Sequence, residues 1–75
     1  MESTKFKITF GAHISLEEVQ ESVATDFGGF GTVSKTDDPR TVVLTGINWP
    51  YTVDVVSAQL SALQKDGVLR WEKVP

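Results

Sequence analysis

Residues 5 to 10 read KFKITF, with Phe6, Ile8 and Phe10 alternating against Lys5, Lys7 and Thr9. Side chains along a strand point to opposite faces with period two, so this segment is a strand with one apolar face and one face for water. A sheet built on it needs a covering layer on one side only. The chain has 75 residues and no cysteine, which removes disulfides and the usual zinc thiolates together, so close packing must hold the fold. That length accommodates a single domain, residues 1–75.

The covering layer is legible as two amphipathic helices. After "GAHI", Ser15 precedes Leu16 and Glu18 stands three residues later, the spacing of a capping box, with Ile14 and Val19 placed as a hydrophobic staple. Leu16, Val19, Val23 and Phe27 recur at helical spacing as the buried stripe, while Glu17, Glu18, Glu21 and Thr25 face water. "FGGFG" is read as the stop, through glycines that take positive φ at a helix C-cap. The second helix starts at Thr52, a capping residue, and buries Val53, Val56, Leu60 and Leu63, with Ser57, Ser61, Gln64 and Lys65 outward. Gly67 ends it.

Three more strands complete the pattern. "GTVSK" from Gly31 is short and weakly apolar, as an edge strand is, and "TDDPR" turns the chain. "TVVLTGI", residues 41 to 47, is the most β-branched segment and reads as a central strand. "VLRWEKV" alternates Leu69 and Trp71 against Arg70 and Glu72, placing Trp71 in the core. The order strand, helix, strand, strand, helix, strand resembles the ferredoxin-like split motif. That resemblance is one of element order and implies an α+β two-layer sandwich, with a four-stranded antiparallel sheet and two helices on one face. Parity then sends Lys5, Lys7, Thr9, Thr41, Val43, Thr45, Arg70 and Glu72 to the open side.

Composition and motifs argue against most chemistry. A net charge of −3 opposes general attraction to nucleic acid phosphate. The RRM family, which shares this element order, stacks bases on aromatics of its central strands; here those positions hold lysine, threonine and valine. The glycines of "FGGFG" follow a helix, whereas phosphate loops lead into one. A literal G-x-x-G at Gly28 to Gly31 matches the KH clamp, but the KH loop joins two helices and a strand is expected here. His13 is the only histidine, so no histidine metal cluster exists. Asp37 and Asp38 sit in an exposed turn, where carboxylates are expected to keep ordinary acidity and to serve poorly as general acids. No catalytic residue, metal or cofactor is expected.

A partner is the remaining expectation. In "GINWPYTVD", Trp49, Pro50 and Tyr51 stand in a row where a strand ends and a helix begins. In one reading Trp49 covers the open end of the core, Pro50 stiffens the entry and Tyr51 packs at the rim. In the other, at least one ring stays exposed as an anchor for another protein. Phe30 is a further candidate for exposure, and the second strand, through Thr32 and Ser34, offers an edge that another chain can extend. The expected function is a small non-enzymatic protein-binding module: an adaptor, assembly subunit or inhibitor, acting on an unidentified protein or on a second copy as a homodimer. The alternatives are a regulatory domain that senses a small molecule and, with less support, an RRM-like nucleic-acid binder. No long apolar run points to a membrane, "MESTKFK" lacks the apolar core of a signal peptide, and the expected location is cytoplasmic.

Overall fold

The computed structural model describes residues 4–74, so Met1–Ser3 of the N-terminal reading lie outside the described residues. Strand β1 (Lys5–Phe10) is followed by α1 (Leu16–Thr25), a 3-10 turn (Phe27–Gly29), β2 (Thr32–Lys35), β3 (Thr41–Thr45), α2 (Val53–Lys65) and β4 (Leu69–Val74). The strands form one antiparallel sheet in the order β2-β3-β1-β4. This is the ferredoxin-like two-layer fold that the element order implies.

β1 lies between β3 and β4, and its register sets the two faces of the sheet. Phe6 pairs with Leu44, Ile8 with Val42 and Trp71, and Phe10 with Leu69. These side chains form the helix-facing layer, where Phe6, Ile8, Leu44, Val56 and Leu60 are wholly buried. Each such side chain stabilises the fold by about 1.5–3 kcal/mol relative to exposure, which is how a chain without cross-links holds together. Trp71 is half-buried at the margin of this layer, its ring 5.5 Å from that of Phe6.

Both helix starts follow the sequence pattern. Ser15 Oγ accepts from the Glu18 N–H and Thr52 Oγ1 from the Val55 N–H, satisfying donors that the first turn leaves free. Ile14 and Val19 pack at the core as the staple requires. Leu16 departs from its expected place in the stripe: it is the first residue of α1 and is exposed. Ser57 departs in the other direction. It stands four residues after Val53, on the flank of the α2 stripe, and its Oγ is buried without a hydrogen-bond partner.

The two helix ends use different chemistry. At α2, Gly67 adopts φ of 79°, the Val68 N–H donates to Leu63 O, and the Gly67 N–H donates to Gln64 O. This is a Schellman cap, and its left-handed residue favours glycine. At α1 the expected glycine cap is absent. No residue of "FGGFG" has positive φ; the chain tightens into the 3-10 turn, with Asp26 at the helix end and Phe27 driven into the core. The glycine requirement here is close approach. A Cβ on Gly31 would stand 2.6 Å from Thr45 O and 2.9 Å from Gly46 O, where β2 leaves the turn beside the end of β3. Gly31→Ala is expected to destabilise the fold by about 1–3 kcal/mol, as overpacking does. Gly29→Ala, with nothing within 4 Å of its added carbon, should stay within about 0.5 kcal/mol of wild type. Urea midpoints of the two variants check the contrast.

Candidate functional site

Trp49 is 92% exposed. That exposure overturns the reading in which it covers the end of the core; Phe30 and Tyr51 pack there instead. Phe10 and Phe27 are buried with ring centroids 5.9 Å apart, Phe27 and Phe30 follow at 6.1 Å, and Phe30 meets Tyr51 edge-on at 4.9 Å and 72°. The contacts run from the core to the surface. Phe30 is thereby half-buried rather than exposed, while Tyr51 keeps 39% of its surface in contact with solvent.

The loop that bears these residues is tied at both ends. The Asn48 N–H donates to Phe30 O at 2.7 Å, joining it to the turn before β2, and the Tyr51 N–H donates to Asn48 O at 2.8 Å across the cis Trp49–Pro50 peptide. Thr52 then caps α2. Between two fixed points Trp49 projects outward. Among the described residues, Trp49, Tyr51 and Val55 are three of the four exposed large hydrophobics, the fourth being Leu16. These three stand within seven consecutive positions, at the start of α2.

Thr32 and Ser34 are both exposed on the open face of β2, where register pairs them with Thr45 and Val43. Thr32 lies at the root of the Trp49 loop, since it pairs beside Gly46; Ser34 lies further along the edge. The fold thus brings Phe30 and Tyr51 together, leaves Trp49 beside them, and keeps Ser34 apart. Sequence reasoning missed a shallow groove of about 410 Å³ that continues from Phe30 and Tyr51 across Phe27 to Gln59, Ala62 and Leu63 of α2. Its signal was present in part: Gln59 and Ala62 lie one turn apart beside the apolar stripe of α2.

No family model, curated protein or solved structure matches this chain.

The open face is polar, as parity requires. Lys7 pairs with Val43 and Glu72, and Thr9 with Thr41 and Arg70. Thr41 is nevertheless buried, because the β2–β3 turn folds over it: Thr9 Oγ1 and Thr41 Oγ1 stand 3.2 Å apart, and Thr41 Oγ1 donates to Asp38 Oδ2 at 3.1 Å. Among the described residues no three histidine, cysteine or acidic side chains stand together as metal ligands, and no helix is long and apolar enough to cross a membrane.

The β2–β3 turn also corrects the expectation of ordinary acidity. The Arg40 N–H donates to Asp38 Oδ1 at 2.9 Å, and this bond, with the Thr41 hydroxyl and the Arg40 charge, holds the Asp38 carboxyl below its ordinary value of 3.8. Arg40 Nη1 reaches on to the carbonyl oxygens of Gly11 and Ile14, linking the turn to the loop before α1. A depressed folded-state pKa adds stability above the ordinary value, and that contribution is lost as pH falls through the lowered one. Asp38→Asn should therefore unfold at lower urea than wild type at about pH 6, and the gap should narrow as pH falls below the ordinary carboxylate range.

Proposed function

We propose that this chain is a small non-enzymatic protein-binding module whose partner docks on the loop Trp49–Tyr51. The observation that carries this reading is the 92% exposure of Trp49 on a loop tied down on both sides. Tryptophan removes about 150–250 Å² of surface when it is buried. At about 25 cal/mol per Å² that is roughly 4–6 kcal/mol before the cost of association. Nothing in the monomer draws on that surface. An anchored loop supports binding further, because little conformational freedom remains to be lost when the ring is held.

Tyr51 and Phe30 have a supporting role in this reading. Their edge-on pair presents a firm apolar base beside the anchor, and the groove toward Ala62 and Leu63 extends the contact area. Phe30 also packs against the core, so its replacement perturbs the fold as well as the surface.

The test compares capture by immobilised wild type and by Trp49→Ser. Because the ring is solvated, the substitution should shift the urea midpoint by no more than about 0.5 kcal/mol in stability. A partner retained by wild type should bind the variant at least about 30-fold more weakly, as expected for an interface anchor worth 2 kcal/mol or more. Equal affinity for both chains would overturn the assignment of this loop.

A further inference from the structure

The sheet has two edges, and they are finished differently. On the outer side of β4, the Trp71 N–H donates to Gln64 Oε1 of α2 at 3.3 Å, so a side chain occupies that edge. β2 bonds to β3 on one side only. The side-chain hydrogen bonds of its hairpin stay within the turn or, from Arg40, reach Gly11 and Ile14, and none among the described residues reaches the β2 backbone. The outward N–H and C=O groups of β2 are a template for one more strand.

At the Lys35 end of this edge the layer above is also open. Register turns Val33 and Lys35 toward the helices and Thr32 and Ser34 toward the open face. Between the hairpin and α1 runs a groove of about 540 Å³, floored by Val19, Val23, Ala24 and Val42. Its rim is acidic. Asp37 and Asp38 line the hairpin side, and Glu17 and Glu21 stand on α1 within one turn of Gln20 and Ala24, which line the groove. Lys35 is the one cationic side chain that lines it.

We propose that β2 and this groove form a second docking site, for an extended cationic peptide segment that joins the sheet as a fifth strand. An apolar side chain of the segment enters the groove beside Val23, and flanking lysines or arginines meet Asp37, Glu17 and Glu21. The charge selects this occupant over a second copy of the chain. Pairing β2 with β2 would bring together two chains that each carry a net charge of −3, at a cost in like-charge repulsion. The groove shares no lining residue with the Trp49 loop, so either site can fail without the other.

The experiment titrates the full chain with a labelled heptapeptide alternating lysine and valine, and with its glutamate–valine counterpart, by fluorescence anisotropy and by amide NMR shifts. The cationic peptide should bind at low salt and weaken as salt rises, with shifts centred on Thr32–Lys35 and on Val23 and Ala24. Methylating alternate backbone nitrogens should abolish binding in one of the two registers, because strand addition needs those N–H groups. The double variant Glu21→Lys and Asp37→Lys should bind about tenfold more weakly, and Trp49→Ser should bind as wild type does. Equal binding of the acidic peptide, no binding at low salt, shifts centred on Trp49–Tyr51, or a homodimer formed through β2 would each overturn the proposal.

Discussion

The apolar face of β1 is the constraint on which the rest of the molecule depends. β1 is hydrogen-bonded on both sides, and Phe6, Ile8 and Phe10 occupy the middle of the layer on which both helices rest. A chain without cysteine has no covalent substitute for that burial. The caps at Ser15 and Thr52 and the Schellman turn at Gly67 matter because they start and stop helices at the points where their stripes meet this face.

A row of rings runs from the same face toward the exposed tryptophan. Phe10, beside the β2–β3 hairpin, meets Phe27, Phe27 meets Phe30, and Phe30 meets Tyr51 at the β3–α2 loop. Trp49 is outside this row, in solvent, on a loop held by the hydrogen bonds at Asn48 and Tyr51. Polar contacts organise the opposite end of the sheet, where Asp38 holds the turn over Thr41 and Arg40 joins it to the loop before α1.

The architecture was legible in the sequence because each element carries its own period. Strict alternation in KFKITF, helical spacing from Val53 to Leu63 and capping residues at Ser15 and Thr52 are local signals, and local energetics enforce them. Leu16, Ser57 and the "FGGFG" turn were misread for a shared reason. Each sits at the margin of an element, where a residue's environment depends on which neighbouring element arrives beside it. Gly31 illustrates the limit well: its missing side chain answers a carbonyl of Thr45, a contact between segments that sequence spacing does not encode.

Of the candidate site, the sequence determined that large rings stand at a strand-to-helix junction and that β2 is a short strand without an apolar face. Those are properties of residue type and order. Only the tertiary structure decided which rings are buried and which edge is free, because both depend on competition for the same space. Phe27 and Phe30 pack at the core and Trp49 stays outside. Gln64 of α2 reaches β4, whereas α1 leaves a groove above β2. Packing among elements distant in sequence sets these outcomes, and no period in the chain records them.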